Sequence, residues 1–557
     1  MKLTVFILIV LMCNRAVSFD LMILHASDIN AEFEESPNKI GGFSRILQYV
    51  QQRRNEFESG IGPPVLVFMT GNFFGENIWY SIHRWRIVSD FINLLKPDAI
   101  ALGTREFSDG LDDLTQFISS LKCPVVGTNL IVNERLPLYK LIYKYVTFEI
   151  DGKKILVLGY TNRGYITSRE VDFLDVVQTI KDECSLINNR NDIDYVIAIG
   201  HARYEVDKRI ALTSDCVLII IGSGSNMLMY NGKPPLNDSN HVTSSYPSII
   251  KLSDDSLIPI AHSYINGKYL GELIVKFNDN KELIGIKGNL ILMDKKIKQN
   301  ETGLKLLNHY LDDLDKKKRK IIGKTLTSLD GISCSKSECT LGNLITDAFC
   351  DFKATQSSGL YWTTAAIGLI NSGSIKSNLN ISKDGKLINE AFLYEALPYQ
   401  EQLITIRISG LTLIKILEHS MKGIGSNAFL QVSGLKVVYN EITSPPEMEV
   451  LVRCAECEVP SYQLLNVSKI YDVVTTKYLV EGGDGYTMIP KKKITYSTEI
   501  INSLQATMRY LEDYKKVILQ QEDRLKMFTV TMRNMGVYLK KIGVFAEIFV
   551  IFLCIFY

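Results

Sequence analysis

Short apolar runs separated by polar turns dominate the first half of the chain. Leu21–His25, Val65–Met69, Asp98–Leu102, Ile155–Tyr160, Tyr195–Ile199 and Cys216–Ile221 are such runs, bounded by Gly or polar residues. Near-continuous Val, Ile and Leu predict strands buried on both faces. Phe43–Arg54 and Trp85–Leu95 repeat apolar residues at helical spacing. Strands and helices in this arrangement predict a layered α/β domain.

Around Lys295–Lys324 the pattern changes. Leu304, Leu307, Tyr310, Leu311 and Leu314 recur at three- and four-residue steps, and a basic run, Lys316–Lys320, follows. This reads as a linker helix with a solvated basic end. A second α/β domain is expected from about Ile321 to Asp513, with a helix starting in Leu341–Phe349 and strands at Ala365–Ile370 and Leu435–Tyr439. Ser374–Asp384 and Ser444–Pro446 read as loops, and Glu522–Lys541 as helical or frayed. The expected division is residues 1–18, 19–300, 301–322, 323–513 and a tail, 514–557.

Both ends are apolar. Lys2, the apolar Thr4–Met12 and the small residues Ala16-Val17-Ser18 read as a secretory signal, with a buried terminal strand or helix as the alternative. Ile542–Tyr557 carries only Glu547 as a charge. It is short of the about 17–25 residues that span a bilayer. It reads either as part of a GPI-attachment signal, with Asn534 or Gly536 as the attachment residue, or as a plain hydrophobic tail.

Composition narrows the class. A chain of 557 residues that is 46% hydrophobic and 22% charged buries sizeable cores. A formal net charge of +1 gives no support to a general nucleic-acid binder. Ten Cys are too few for a scaffold built on disulfides. Outside the cell, Cys334 with Cys339 and Cys454 with Cys457 read as local disulfides; a zinc knuckle is the alternative, though no His cluster accompanies either pair. Asn237, Asn300, Asn380 and Asn466 open N-glycosylation sequons.

In α/β sheets, sites form beyond the carboxyl ends of strands. There the chain has Ser27-Asp28-Ile29-Asn30, Thr70-Gly71-Asn72-Phe73, Gly103-Thr104-Arg105-Glu106-Phe107, Gly200-His201 and Gly222-Ser223-Gly224-Ser225-Asn226. These turns stand where metallophosphoesterases carry D-x-H, G-D, G-N-H-E, G-H and G-H-x-H or G-H-x-N. Asn93-Leu94-Leu95-Lys96-Pro97-Asp98-Ala99, Gly267-Lys268-Tyr269-Leu270-Gly271, Phe429-Leu430-Gln431-Val432-Ser433-Gly434-Leu435 and Gly482-Gly483-Asp484-Gly485-Tyr486 extend the likeness. The chain resembles the ecto-5′-nucleotidase family, and within it the apyrases of blood-feeding arthropods. The resemblance implies an N-terminal metallophosphoesterase-like domain joined by the linker helix to a C-terminal α/β nucleotide-binding domain.

It also implies a site with two divalent metals, usually zinc, held by Asp, His and Asn. Such ions polarise phosphoryl oxygens and activate water. Here Asp28 and His201 match their slots, and Asn226 agrees with the G-H-x-N variant. Asn30 replaces a His, Asn72 the bridging Asp, Thr104 an Asn and Gly224 a His. The catalytic His slot holds Arg105, and the Asp that orients it is Ser108. Arg does not release its proton, so Arg105 is no general acid; it either grips an anion or pairs with Glu106 or Asp28. The second domain keeps more. Tyr399 and Tyr478 match the aromatics that clamp the base, and Asp484 the acid that bonds the ribose. Asn371 and Lys376 sit in Asn-Ser-Gly-Ser-Ile-Lys, where the family has N-G-G-G-I-R, and Ser335 replaces another Arg.

The expectation is therefore a secreted pseudoenzyme that engages extracellular adenine nucleotide or a platelet receptor, opposing haemostasis if the host feeds on blood. It needs no cofactor. The alternatives are an active nucleotidase using zinc or another divalent metal, and a GPI-anchored scaffold. The resemblance leaves monomer and dimer both open.

Overall fold

The structure is a computed structural model that describes residues 18–164, 170–235, 242–380, 385–444, 446–489 and 496–528. The signal reading of residues 1–18 (apart from Ser18), the Asn237 sequon, Asn534, Gly536 and the apolar tail lie outside these residues. The chain forms two compact units that meet in sequence at Asp312 and Asp313, inside the helix Glu301–Arg319.

Two mixed sheets form the body of the first unit, beside two small two-stranded sheets. One has seven strands, with Phe19–Ser27 between Tyr269–Phe277 (antiparallel) and Val65–Thr70 (parallel). The other has six, with Tyr195–His201 parallel to both Lys153–Thr161 and Ile219–Ile221. The inner faces share one core, which includes Ile23, Phe68, Val157, Ile197 and Ile220. Burial from both sides is why these strands are continuous apolar runs rather than alternating ones. Ser27 pairs with Thr70 and Thr70 with Ala101, so three carboxyl ends finish level. In the second sheet His201 pairs with Thr161 and Ile199 with Ile221. Thr161 Oγ1 donates to Leu102 O at 2.7 Å and Ser223 Oγ to Gly71 O at 3.1 Å, which brings the loops of both sheets to one place.

The second unit holds a five-stranded sheet, in which Ile470–Thr476 lies between Ile367–Asn371 and Gln402–Ser409, together with sheets of three and four strands. The helix Thr340–Thr355 buries Leu341, Leu344, Ile345 and Phe349 against it. The expected helical or frayed segment after Glu522 is corrected: Leu525–Phe528 is a strand, parallel to Leu435–Asn440. The cause is a buried anchor. Glu338 accepts from the backbone N–H of Glu522 and Arg524, at 2.7 Å each, and the Arg524 guanidinium donates twice to Asp347 at 2.8 Å.

Disulfides join Cys334 to Cys339 and Cys454 to Cys457, so the zinc-knuckle alternative falls. A third, Cys184–Cys216, ties the helix Val176–Ile187 to the lead-in of Ile219–Ile221. Its partners stand 32 residues apart, so local spacing gives no sign of it.

Candidate functional site

The level strand ends of the first unit place Asp28 at the centre of a hydrogen-bonded cluster. Asp28 is 3% exposed and His201 6%. His201 Nε2 lies 3.1 Å from Asp28 Oδ1. The Asn72 backbone N–H donates to the same oxygen at 3.0 Å and its side-chain Nδ2 at 3.3 Å. Gly224 N–H donates to Oδ2 at 3.0 Å. Asn72 Oδ1 in turn accepts from the backbone N–H of Arg105 at 3.0 Å and from Thr104 Oγ1 at 3.5 Å.

Burial works against a charge on His201, but the Asp28 carboxylate, and after it Glu106, outweighs this and holds the imidazole pKa above its ordinary value. Gly224 has φ +87, and a Cβ there would come within 2.9 Å of the His201 ring. A side chain at that slot would therefore need another backbone path.

The remaining slots behave differently. Asn30 spends its Nδ2 on Asp28 O and on Asn266 Oδ1, each at 2.8 Å. Asn226 is exposed, with φ 50. Ser108 Oγ donates to Arg105 O at 2.6 Å. The Arg105 guanidinium is 38% exposed and pairs with Glu76 at 3.4 Å, not with Asp28 or Glu106, the pairing that was one of its two expected roles. Glu106 is committed elsewhere. It is fully buried, and its carboxylate accepts from the backbone N–H of Phe73 (2.6 Å), Phe74 (3.0 Å) and Gly103 (2.5 Å). It thereby ties together the two loops that carry Asn72 and Arg105, a role that its place in the sequence did not disclose.

Two histidines outside the slots are core residues. His262 Nε2 lies 2.7 Å from Asp207 Oδ2, and Tyr160 donates to Asp207 Oδ1 at 2.6 Å, directly behind Gly222. His25 Nε2 meets Tyr246 OH at 2.7 Å. Among the described residues, no group of three or more His, Cys, Asp or Glu is placed to hold a metal ion.

In the second unit a polar chain links three of the expected nucleotide contacts. Asn371 Nδ2 donates to Asp484 Oδ2 at 2.8 Å, and the Tyr478 hydroxyl donates to Asp484 Oδ1 at 2.9 Å. Asp484 holds φ 48, and His419 Nε2 lies 2.9 Å from its carbonyl oxygen. The Tyr478 ring lies against Gly483, where a Cβ would stand 2.4 Å from Cε1. That contact is why a residue without a side chain precedes Asp484. Lys376 Nζ lies over the Tyr399 ring, 5.7 Å from its centroid. Ser335, where the family has Arg, offers its carbonyl to Gly425 N–H at 2.7 Å. Sequence reasoning passed over Ser374 and Glu401, which continue the chain behind Asn371.

The profile of the 5′-nucleotidase C-terminal domain matches residues 321–491. The 5′-nucleotidase of Diplobatis ommata is 32% identical, over 95% of this chain and 93% of that protein. The human 5′-nucleotidase is 29% identical over 96% of each chain, and the apyrase of Tabanus yao 27% identical over 92% of this chain and 95% of its own. The crystal structure of a 5′-nucleotidase precursor from Thermus thermophilus superposes with a TM-score of 0.63 at 22% identity, covering 92% of this chain and all of that one. At that identity the likeness speaks for the fold.

Proposed function

The chain belongs to the 5′-nucleotidase family, and from that premise we propose that it binds an extracellular adenine nucleotide without hydrolysing it. The observation that carries this reading is the state of Asp28. Its carboxylate is surrounded by the N–H groups of Asn72, Gly224 and His201. Three of those donors fill Oδ1 and one takes a lone pair of Oδ2, and one of the three is the side-chain amide that stands in the bridging-carboxylate slot. With Asn at 72, Thr at 104 and Gly at 224, the donor set does not fit two divalent ions bridged by a carboxylate. Arg105, tied to Glu76, supplies neither an acid nor a base.

The second unit supports the binding half. Tyr399 and Tyr478 offer faces on which a base stacks, an interaction of about 1–3 kcal/mol per base. Asp484 and Asn371 present a polar pair for a ribose. Three disulfides among the described residues fit an oxidising, extracellular setting. In a blood-feeding host, a secreted chain of this kind would lower free ADP near platelets by binding it one for one. It would then act only at concentrations comparable to the nucleotide, unlike a catalyst. Contact with a platelet receptor through its outer surface is the other route to the same end.

The test has two arms. Phosphate release from AMP, ADP and ATP is measured with zinc, manganese or calcium added in turn, and nucleotide binding is measured by calorimetry. Binding without release is expected, with binding lost in Tyr399→Ala and Asp484→Asn. Release that a chelator and His201→Ala both abolish would establish an active nucleotidase instead.

A further inference from the structure

Glu401 directly precedes the strand Gln402–Ser409 and follows Tyr399 by two residues. Its Oε2 is buried with no hydrogen-bond partner. Its Oε1 lies 3.0 Å from Ser374 Oγ. The same hydroxyl lies 2.8 Å from Asn371 Oδ1, and Asn371 Nδ2 lies 2.8 Å from Asp484 Oδ2.

Counting protons along this line fixes their positions. The Asn371 amide must turn its nitrogen to Asp484, because the reverse would set an amide oxygen against a carboxylate oxygen. Asn371 Oδ1 is therefore an acceptor, and it takes the single proton of the Ser374 hydroxyl. That leaves Ser374 nothing to donate to Glu401. The chain closes when Glu401 is the donor: Glu401 O–H to Ser374, Ser374 to Asn371, Asn371 to Asp484. An ionised Glu401 would be a covered carboxylate whose Oε2 has no donor within hydrogen-bond distance, a costly state.

The surroundings press the same way. Burial is the main influence; the hydroxyls of Thr476 and Ser374 oppose it, and the carboxylates of Asp484 and Glu481 reinforce it, so that Glu401 is pushed up to about 6. Tyr478 faces Glu401 as a neutral phenol whose own ionisation is held off by burial and by Asp484.

We propose that Glu401 is the neutral acid of the folded chain in mildly acidic solution, and that in this form it is a positioning residue for nucleoside binding, acting through Ser374 and Asn371 on Asp484. This rests on reading Asn371, Tyr478 and Asp484 as nucleoside contacts. When Glu401 ionises, Ser374 turns its proton to Glu401. Asn371 then loses the donor that fixes its amide, and a new negative charge stands near Asp484. Nucleoside affinity falls with it. Stability moves in the same direction. The folded state holds a proton that the unfolded chain releases near its ordinary carboxyl pKa, so stability is full below that value and is lost as pH rises through about 6.

The experiment uses the full chain and adenosine, which has no group titrating between about pH 5 and 8, with thermal melts and calorimetry across that range. Wild type should lose stability as pH rises and bind adenosine about fivefold more weakly at the upper end, the worth of one net hydrogen bond. Glu401→Gln keeps a donor and cannot ionise, so it should remove both trends and keep the low-pH affinity. Ser374→Ala should bind weakly throughout while keeping the pH-dependent stability of wild type. Identical pH profiles for wild type and Glu401→Gln would overturn the neutral acid. A flattened stability profile in Glu401→Gln, with no adenosine bound by either protein at any pH, would overturn the positioning role and locate the error in the nucleoside reading rather than in the proton.

Discussion

Asn72 donates twice to a single oxygen of Asp28, through its backbone N–H at 3.0 Å and its side-chain amide at 3.3 Å. In the non-catalytic reading proposed above, the amide offers a proton donor where a carboxylate would share a cation. The consequence is measurable without activity. A ligand present at a hundred times its Kd adds about 2.7 kcal/mol to stability. Zinc or manganese should leave the melting temperature of the wild-type chain unchanged. Asn72→Asp should destabilise the metal-free chain by about 2–4 kcal/mol, since a second carboxylate would then face the buried Asp28. Added zinc should recover part of that loss. A metal-dependent rise in wild-type melting temperature would contradict the non-catalytic reading.

Glu106, not Arg105, should be the residue of the Gly-Thr-Arg-Glu turn that stability depends on. Three backbone N–H groups end on its buried carboxylate. Removing it leaves each unpaired, at about 1–3 kcal/mol apiece. Glu106→Ala is expected to cost several kcal/mol or to prevent folding, and Glu106→Gln to fall between it and wild type. Arg105→Ala breaks one half-exposed ion pair, worth about 0–1 kcal/mol. Denaturant unfolding of the three variants orders them, and a larger effect at Arg105 would refute the assignment.

What the sequence disclosed follows from the range of the interactions. The strands of the first unit were legible because burial on both faces writes itself as a continuous apolar run, as in Ile155–Tyr160. The turns holding Asp28, Asn72 and His201 were legible because each follows such a run. Pairings across long separations were not. Glu106 bonds backbone groups, whose chemistry is the same for any residue. Glu401 matters through a proton it shares with Ser374, which no spacing encodes. The strand Leu525–Phe528 is short and half exposed, and it is fixed by Glu338, far earlier in the chain. Cys184 and Cys216 sit in a helix and a buried approach to a strand, where each reads singly as a small core residue.

Acid should weaken the first unit through His25. The ring is buried beside Tyr246, and burial, with a smaller contribution from His262, lowers its pKa to about 3. The unfolded chain binds this proton near the ordinary value of 6.5, while the folded chain refuses it until about 3. Stability is therefore complete above the unfolded pKa and is lost as pH falls through the window between the two. The full difference is on the order of 4–5 kcal/mol at 1.36 kcal/mol per unit. His25→Gln, which keeps a polar partner for the Tyr246 hydroxyl, should flatten this acid limb while lowering stability at neutral pH. Chemical unfolding at a series of pH values measures both. An unchanged acid limb in the variant would show that another group carries it.

The sequons should differ in occupancy. Asn300 is built into the fold: its Oδ1 caps the helix Glu301–Arg319 by accepting from Thr302 N–H (3.0 Å) and Gly303 N–H (3.1 Å), and its Nδ2 donates to Gln51 at 2.9 Å and Gln48 at 3.4 Å. Both hydrogens of that nitrogen are in use, and a glycan would replace one of them. Asn380 and Asn466 are exposed, and Asn466 uses only its oxygen, in a local turn with Ser468 N–H. In chain secreted from a glycosylating host, glycopeptide mapping should find sugar at Asn380 and Asn466 and little at Asn300. Asn300→Ala should cost about 1 kcal/mol through the lost cap, and Asn466→Gln less than about 0.5 kcal/mol. Full occupancy of Asn300 at undiminished stability would mean that the cap and its Gln partners are dispensable, and with them this account of how the helix begins.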